Sequence, residues 1–266
     1  MTEEELMLIS LLDCRRIDLY VDPQPLSPVQ QERLRQMQTQ RQHGEPLQYV
    51  LGFCEFMGLR FNVDERVLIP RPETELLVEL ALEKAKVYQG QSIRILDLGT
   101  GSGNIAVSLA KYVPQCTVIA VDISTAAIDL AYSNAKANGV EHKIQFINGD
   151  MVSALKFPLA PEDYFQLVIS NPPYISSVQM PRLPADVLRE PRLALDGGVD
   201  GLDFYQRIIA DSVNFLSPDG FLLLEMGDGQ REALELLLER SSFAICECRK
   251  DFSGADRIVV MERRYA

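Results

Sequence analysis

From residue 92 onward, the chain alternates short apolar runs rich in Val and Ile with longer segments whose apolar residues recur at helical spacing. Such runs are typical of buried strands, and the helical spacing predicts helices between them. The predicted strands lie at about 93–97, 116–121, 143–147, 165–170, 220–225, 243–250 and 257–263. The predicted helices lie at about 103–112, 124–138, 202–216 and 230–240. Repeated βα units favour a doubly wound α/β fold, with a mostly parallel, seven-stranded sheet between two layers of helices.

The last two predicted strands are separated only by the short segment Phe252-Ser253-Gly254-Ala255. A connection of this length joins neighbouring antiparallel strands, whereas a parallel pair needs a long crossover. We therefore expect an antiparallel last strand to close the sheet.

The first 45 residues predict a small helical domain. One helix is expected over residues 3–20, where Leu and Ile recur at mostly helical spacing. A second helix is expected to begin after Ser27, a residue type that caps helices, and to run to about His43. Its apolar face is thin, so the core of this domain is expected to be small.

Residues 46–70 predict a β-hairpin linker. The runs at 49–56 and 59–63 are rich in aromatic and β-branched residues, and Met57-Gly58 between them suits a tight turn. Residues 71–266 are then expected to form the large α/β domain, which opens with a helix.

Composition excludes several classes of function. The formal net charge of −12 opposes tight binding to a phosphate backbone, so we expect no direct nucleic-acid partner. No apolar run approaches the roughly 20 residues that a membrane span needs, and the acidic N-terminus is not a secretory signal. The 5 scattered cysteines and 2 histidines form no metal-ligand set. We expect a monomeric cytoplasmic protein with no metal and no membrane partner.

The tetrapeptide Asn171-Pro172-Pro173-Tyr174 follows the predicted strand at 165–170. Two prolines fix their own φ angles and lack N–H groups, so the chain leaves the sheet rigidly. Asn171 therefore presents an amide at the carboxyl edge of the sheet, where α/β folds bind ligands, with the aromatic face of Tyr174 beside it. This arrangement suits a planar, uncharged, hydrogen-bonding group. A stiff turn with a packed tyrosine is the alternative interpretation.

A glycine-rich loop follows the first strand of the large domain and opens a helix. Glycines let a ligand approach the backbone closely, and the N–H groups at a helix start offer a polar cradle. The spacing is G-x-G-x-G rather than the G-x-G-x-x-G of dinucleotide-binding proteins. The loop reads Asp97-Leu98-Gly99-Thr100-Gly101-Ser102-Gly103. A tight strand-to-helix turn without a ligand is the alternative.

Acidic residues follow the next two predicted strands. Asp122 lies about 20 positions after the glycine loop, where a carboxylate is placed to accept both hydroxyls of a ribose. Its alternative role is to cap the next helix, which Ser124 could do itself. Asp150 could accept a hydrogen bond from an adenine amine, with Met151 packed on the ring, or it could be an ordinary turn aspartate.

Together, the glycine loop, the acidic strand ends and the N-P-P-Y tetrapeptide resemble the class I methyltransferases that use S-adenosylmethionine. The resemblance narrows to the PrmC/HemK family, the protein-glutamine N5-methyltransferases that act on class I peptide chain release factors. The stretches that carry it are Glu45-Pro46-Leu47-Gln48-Tyr49-Val50-Leu51-Gly52, Val67-Leu68-Ile69-Pro70-Arg71-Pro72-Glu73-Thr74-Glu75, Asp97 to Gly103, Asn171 to Tyr174 and Glu190-Pro191-Arg192-Leu193-Ala194-Leu195-Asp196-Gly197-Gly198. They cover roughly residues 45 to 264.

The resemblance implies a Rossmann-like methyltransferase sheet and S-adenosylmethionine as the cofactor. It implies methyl transfer to the glutamine of the release-factor G-G-Q motif, in support of translation termination. The residues implied to bind the cofactor are Gly99, Thr100, Gly101, Ser102, Gly103, Asp122, Asp150, Met151 and Asn171. The residues implied to bind the substrate are Asn171, Pro172, Pro173 and Tyr174, and those implied to be catalytic are Asn171, Pro172 and Tyr174.

The mechanism that the resemblance implies depends on positioning. An amide nitrogen is a poor nucleophile because its lone pair is delocalised, so aiming it at the methyl group contributes much of the rate. The Asn171 side-chain oxygen and the Pro172 carbonyl would accept hydrogen bonds from the glutamine NH₂ and strengthen as positive charge develops on nitrogen. Tyr174 would pack on the amide plane, and Pro173 would be a rigid spacer. The sequence points to no general base.

Two further regions carry charged residues with more than one interpretation. Arg71 and Glu73 are interpreted as pairing with each other and capping a helix, with closure over the cofactor as the alternative. Glu190, Arg192 and Asp196 lie in a long connection after the tetrapeptide, whose length favours contact with the substrate.

The sequence departs from the family in one respect, because only 44 residues precede Glu45. Family members usually carry a longer helical bundle there, so we expect a shortened substrate-recognition domain and altered docking of the release factor. Two rival substrates are a ribosomal-protein glutamine and an adenine N6 in nucleic acid. The sequence Ile-Pro-Arg-Pro-Glu-Thr-Glu disfavours the ribosomal-protein substrate, and the net charge of the chain disfavours the nucleic-acid substrate.

Overall fold

The structure is a computed structural model that describes residues 1–21, 24–155 and 160–264. The N-terminal helices are α1 (Glu3–Leu12), α2 (Asp18–Val21), α3 (Pro28–Gln42) and α4 (Leu47–Leu51). The later helices are α5 (Pro72–Ala85), α6 (Asn104–Tyr112), α7 (Thr125–Ala137), α8 (Asp203–Ser212) and α9 (Arg231–Leu238). No described helix is both long enough and apolar enough to span a membrane.

The start of α3 confirms the prediction, whereas the long first helix is wrong. The Ser27 hydroxyl accepts a hydrogen bond from the Gln30 backbone N–H, and the Gln30 side chain accepts one from the Ser27 N–H, which forms a capping box. The helix predicted over 3–20 stops at Leu12, because Asp13 adopts left-handed backbone with φ 47°. Aspartate tolerates this conformation because its short side chain bonds locally.

Residues 49–51 are helical, so the prediction that the first hairpin strand begins at residue 49 is wrong. Helix α4 buries Val50 against Met7 and Met37 in the small core of the N-terminal helices. This packing outweighs the preference of Val and Tyr for strands. Gly52, with φ 81°, ends the helix and releases the chain into the hairpin.

The hairpin consists of β1 (Phe53–Phe56) and β2 (Leu59–Asn62), joined by the predicted Met57-Gly58 turn. Both turn residues have positive φ, as a two-residue hairpin turn requires. The Met57 N–H donates to Glu75 Oε1 (2.5 Å), and the Tyr112 hydroxyl donates to the Met57 carbonyl (2.7 Å). The large domain therefore holds the turn from both sides.

A seven-stranded sheet forms the centre of the large domain, as predicted. Its strands are β3 (Ile93–Leu98), β4 (Cys116–Asp122), β5 (Ile144–Asn148), β6 (Phe165–Ser170), β7 (Leu216–Glu225), β8 (Phe243–Lys250) and β9 (Asp256–Arg263). Their order is β5-β4-β3-β6-β7-β9-β8, and β9 runs antiparallel to both of its neighbours. The helix predicted at 202–216 ends at Ser212 because β7 already begins at Leu216.

Two apolar cores cover the two faces of the sheet. Helices α5 and α6 bury Leu77 and Leu109 against one face, and the hairpin adds Phe56 and Phe61 to that core. Helices α8 and α9 bury their apolar sides against the other face. The strand order reverses between β3 and β6, which leaves a crevice at the carboxyl ends of these two strands.

Candidate functional site

The glycine loop and the N-P-P-Y tetrapeptide lie side by side at this crevice. Leu98, at the end of β3, is paired with Ser170, at the end of β6. The Ser170 hydroxyl also donates to the Leu98 carbonyl (2.7 Å), so the two strand ends are locked together. The two motifs that the sequence singled out therefore leave the sheet next to each other.

The glycine loop has the open geometry of a ligand cradle. Gly99, Gly101 and Gly103 all have positive φ (75°, 54° and 81°), a region that side chains with a Cβ rarely adopt. A Cβ on Gly99 would meet no heavy atom within 4 Å, whereas one on Gly103 would lie 3.0 Å from the Ala131 Cβ. Gly99 thus faces free space, and Gly103 lets α7 pack closely.

The other two predicted loop residues, Thr100 and Ser102, are buried and support the loop from beneath. The Thr100 hydroxyl donates to Asp97 Oδ2 (2.6 Å). The Ser102 carbonyl accepts a hydrogen bond from Asn134 Nδ2 (2.9 Å), and the same amide nitrogen donates to the Asn62 carbonyl (3.0 Å). Asn134 therefore ties the loop to the hairpin.

Asp97 is a candidate functional residue to which the sequence analysis assigned no role. Its side chain is fully buried, and its Oδ1 has no hydrogen-bond partner among the residues that the structure describes. Burial raises the pKa of this carboxyl to about 7, and the hydrogen bond from Thr100 and the nearby backbone N–H of Ala106 oppose that shift. An acidic residue two positions before the first glycine of the loop was the signal in the sequence. Such an unpaired acceptor fits a ligand that brings a cationic donor.

Asp122 lies at the end of β4 and contacts the glycine loop directly. Its Oδ2 accepts a hydrogen bond from the Gly101 N–H (2.8 Å), and its Oδ1 accepts one from the Ser124 N–H (2.9 Å). Ser124 itself caps α7, accepting from the Ala127 N–H. Burial raises the pKa of Asp122, and these N–H groups oppose the shift. Each carboxylate oxygen keeps a second lone pair for a further donor.

Asp150 and Met151 have contacts that sequence reasoning did not anticipate. Asp150 Oδ2 lies 2.8 Å from Arg207 Nη2 in an ion pair with α8. Met151 has a positive φ of 49° and is buried in the core beneath α8. The expected contacts of these two residues with an adenine ring stay predictions.

The amide of Asn171 is held by a chain of hydrogen bonds that leads to a buried glutamate. Asn171 Nδ2 donates to Thr74 Oγ1 (3.1 Å), and the Thr74 hydroxyl donates to Glu225 Oε2 (2.7 Å). The Tyr174 hydroxyl approaches the other oxygen, Glu225 Oε1, at 3.4 Å. Thr74 comes from α5 and Glu225 from the end of β7, so three parts of the chain converge on the tetrapeptide.

Glycines allow the chain to pack closely around Pro173 and Tyr174. A Cβ on Gly197 would lie 2.7 Å from the Pro173 carbonyl oxygen, and one on Gly201 would lie 2.4 Å from the Tyr174 carbonyl oxygen. Gln230 Nε2 donates to that same Tyr174 carbonyl (3.0 Å). The long connection after the tetrapeptide thus folds back onto it and fixes its backbone.

The interpretation of Arg71 as the partner of Glu73 is wrong. Arg71 pairs instead with Glu190, and its side chain makes no capping hydrogen bond to α5. Glu190 is 5% exposed, and its other oxygen accepts a hydrogen bond from the Ile69 N–H (3.0 Å). Residues 119 positions apart form this ion pair, so no local pattern could indicate it.

Arg192 and Asp196 form an exposed ion pair with each other (2.8 Å). Asp196 also accepts a hydrogen bond from the Ser177 hydroxyl (2.7 Å). These contacts brace the long connection.

Sequence reasoning missed Thr74, Glu225 and Gln230, although two of them left a signal. Glu225 ends an apolar strand at the ligand-binding edge, as Asp122 does, and Thr74 lies within the Pro-Glu-Thr-Glu stretch. Burial raises the pKa of Glu225 to about 7, with the hydrogen bond from Thr74 lowering it. In the described part of the chain, no group of three or more His, Cys, Asp or Glu residues could hold a metal ion.

Comparisons with known protein families match both parts of the chain. A family model described as "Methyltransferase small domain" matches residues 72–199, and one described as "PrmC N-terminal domain" matches residues 2–52. The first of these models covers the glycine loop and the tetrapeptide, so both motifs lie in a stretch that is similar to a methyltransferase domain.

Curated relatives extend this match over nearly the whole chain. The release factor glutamine methyltransferase of Geobacter sulfurreducens is 40% identical over 259 residues, which cover 97% of this chain and 87% of the relative. The release factor glutamine methyltransferase of Chlorobaculum tepidum is 42% identical, and the match covers 95% of this chain and 87% of the relative. The chain belongs to the PrmC/HemK family of release factor glutamine methyltransferases.

Solved structures with low sequence identity share the fold. The ribosomal protein L11 methylase of Lactobacillus delbrueckii subsp. bulgaricus superposes with a TM-score of 0.55 at 20% identity, covering 76% of this chain and 84% of that chain. A T. thermophilus 16S rRNA methyltransferase, solved with AdoMet and guanosine, has a TM-score of 0.57 at 20% identity. The superposition covers 80% of this chain and 50% of that chain. These likenesses establish the Rossmann-like methyltransferase fold.

Proposed function

We propose that this protein transfers a methyl group from S-adenosylmethionine to the side-chain amide nitrogen, N5, of a glutamine in class I peptide chain release factors. The observation that carries the proposal is the Asn171 amide, which a hydrogen bond to Thr74 holds in place next to the glycine loop, in a chain of this family. Its curated relatives are named for this substrate. The modified residue is the G-G-Q glutamine.

Asn171 and the residues after it bind the acceptor amide. Because Asn171 Nδ2 donates to Thr74, the Asn171 Oδ1 is the atom left to accept a hydrogen bond from the glutamine NH₂. The Pro172 carbonyl accepts the second N–H, and Tyr174 packs on the amide plane. Both hydrogen bonds strengthen as the nitrogen acquires positive charge, so they stabilise the transition state more than the ground state. Pro173 keeps the backbone rigid between them.

The glycine loop and the neighbouring strand ends bind the cofactor, which supplies an electrophilic methyl group on a sulfonium. Gly99, Thr100, Gly101, Ser102 and Gly103 form the cradle, and Asp122 accepts hydrogen bonds from the ribose. The unpaired oxygen of Asp97 fits the ammonium group of the methionine moiety. Asp150 and Met151 bind the adenine, and Asn171 lies where cofactor and acceptor meet.

Positioning provides most of the catalysis, and no residue acts as a general base. Methylation makes the amide nitrogen strongly acidic, so its proton leaves to water after the new bond has formed. The enzyme acts as a cytoplasmic monomer, and the helices before the hairpin dock the release factor. The five free cysteines support a reducing compartment.

Transfer of labelled methyl from S-adenosylmethionine tests the proposal. Purified release factor, ribosomal protein and DNA are incubated in parallel, and a release factor with the G-G-Q glutamine replaced by alanine is the matched control. We expect label only on the release factor that keeps its G-G-Q glutamine. Label only on ribosomal protein or on DNA would overturn the proposed substrate.

A further inference from the structure

Thr74 and Glu225 form a buried pair directly behind Asn171. Each is 1% exposed, and they come from two elements that pack against each other, α5 and the end of β7. The Thr74 hydroxyl lies 2.7 Å from Glu225 Oε2 and 3.1 Å from Asn171 Nδ2. Neither residue belongs to the tetrapeptide or to the glycine loop.

The direction of each hydrogen bond follows from the number of protons available. Above its pKa of about 7, Glu225 is ionised and only accepts hydrogen bonds, so it must receive the single hydroxyl proton of Thr74. Thr74 Oγ1 can then only accept from its other neighbour, and the Asn171 atom that faces it must be the NH₂ group. The opposite amide atom, Oδ1, is left to face away from Thr74.

We propose that Thr74 and Glu225 are positioning residues that hold the Asn171 amide in the one orientation that accepts a hydrogen bond from the substrate NH₂. This inference rests on the proposed function and deepens it. An asparagine amide has nearly the same shape in both orientations, so packing alone does not select one. The pair supplies that selection and lets the enzyme distinguish a glutamine from a glutamate.

Other charged and polar groups around Glu225 are consistent with this role. Glu73 raises the pKa of Glu225, whereas Arg257 lowers it, and these two charges oppose each other. The Tyr174 hydroxyl at 3.4 Å supplies a second donor to the carboxylate, and the Tyr205 hydroxyl donates to the backbone carbonyl of Glu225 (3.0 Å). Each oxygen of the ionised Glu225 therefore faces a hydroxyl donor, and the carboxylate acts only as a hydrogen-bond acceptor.

The first experiment compares Thr74→Val with Thr74→Ser. Valine has the shape of threonine but neither donates nor accepts, so the Asn171 amide is free to turn. We expect kcat for release-factor methylation to fall about 10- to 100-fold, as for loss of a hydrogen bond that orients a reacting group. Serine restores the hydroxyl, and we expect most of kcat to return. S-adenosylmethionine affinity, measured by calorimetry, should stay within about twofold in both variants.

Ser212→Ala is the matched control, because it also removes a buried hydroxyl, one that donates to the Ile208 carbonyl within α8. We expect this variant to lose some thermal stability but to keep the wild-type kcat. A structural effect of losing any buried hydroxyl would instead lower kcat in the control as well, which would overturn the inference.

Discrimination between amide and carboxylate gives a readout that a purely structural role would not change. A release factor whose G-G-Q glutamine is replaced by glutamate serves as a competitive inhibitor. Wild-type Asn171 Oδ1 repels this carboxylate, whereas a turned amide presents its NH₂ group to it. We expect Thr74→Val to bind the glutamate form about tenfold more tightly relative to the glutamine form than wild type does.

Glu225→Gln covers the case in which Thr74→Val does not fold. The glutamine amide can face Thr74 with either atom, so both orientations of Asn171 become available and we expect a smaller fall in kcat, about 3- to 10-fold. An unchanged kcat and unchanged discrimination in these variants would overturn the inference alone. Absence of methyl transfer by the wild type would overturn the proposed function and, with it, the inference.

Discussion

The two halves of the crevice differ in how their buried polar groups are satisfied. On the acceptor half, Asn171, Thr74, Glu225 and Tyr174 hydrogen-bond to one another. On the cofactor half, Gly99 faces open space and Asp97 keeps a buried oxygen without a hydrogen-bond partner in the described part of the chain. Under the proposed function, the acceptor half is preorganised, whereas the cofactor half is completed by S-adenosylmethionine. Substitutions in the two halves should separate kcat from cofactor affinity.

The largest effect is expected for Asn171→Ala, which removes the acceptor atom itself. We expect kcat to fall about 100-fold or more, because the glutamine nitrogen is no longer aimed at the methyl group. Cofactor affinity should fall much less. Single-turnover kinetics with calorimetry measures both, and turnover near wild type would contradict the positioning role.

Asp122→Ala is expected to act on the cofactor half. Loss of hydrogen bonds to a carboxylate should weaken S-adenosylmethionine binding by about 1–3 kcal/mol. Part of that loss comes from the glycine loop, since Asp122 also holds the Gly101 N–H. Calorimetry that detects no change in affinity would restrict Asp122 to bracing the loop.

Asp97→Asn is expected to have opposite effects on affinity and on stability. The asparagine oxygen can still accept from Thr100, but the charge that pairs with the cofactor is lost, so affinity should fall about tenfold. The ligand-free protein should be at least as stable as wild type, because an unpaired buried carboxylate is costly. Thermal unfolding with and without S-adenosylmethionine measures both effects. A Tm of the ligand-free variant clearly below that of the ligand-free wild type would contradict the role of Asp97 as an unpaired acceptor for the cofactor.

The smallest effect is expected in the pH dependence. Burial raises the pKa of both Glu225 and Asp97 to about 7. Because ionised Glu225 orients Asn171, kcat should fall as the pH decreases through about 7, and Glu225→Gln should flatten that decrease. The KM for S-adenosylmethionine should rise over the same range through Asp97.

Stability should change in the opposite direction over this range. A carboxyl whose pKa is raised in the folded state binds its proton more tightly there than in the unfolded chain. Each of these two carboxyls therefore stabilises the folded protein fully at a pH below its ordinary pKa, which is 4.5 for Glu and 3.8 for Asp. That stabilisation is lost as the pH rises through the folded-state pKa of about 7. A kcat that increases on acidification would contradict the role of Glu225.

Local pattern predicted most of the fold. The strand at 165–170 and the strand at 243–250 have the predicted bounds. The first is a mostly apolar run that stops before two prolines, and the second stops at a short turn segment that contains Ser253 and Gly254. Helix α3 and the Met57-Gly58 turn were predicted for the same reason, since capping and turn residues act over a few positions. Predictions were wrong where a distant contact decided, as at residues 49–51, where Val50 packs against Met7 and Met37.

The sequence alone determined the composition of the site: a glycine loop, acidic strand ends and an amide held on a rigid Pro-Pro step. These follow from residue types acting on their own neighbours. Only the tertiary structure decided that Arg71 pairs with Glu190 and that Thr74 and Glu225 hold Asn171. Thr74 is 97 positions from Asn171 and 151 positions from Glu225 along the chain. Hydrogen bonds and ion pairs depend on distances of about 3 Å between atoms, and sequence separation carries no information about such distances until the sheet brings its strand ends together.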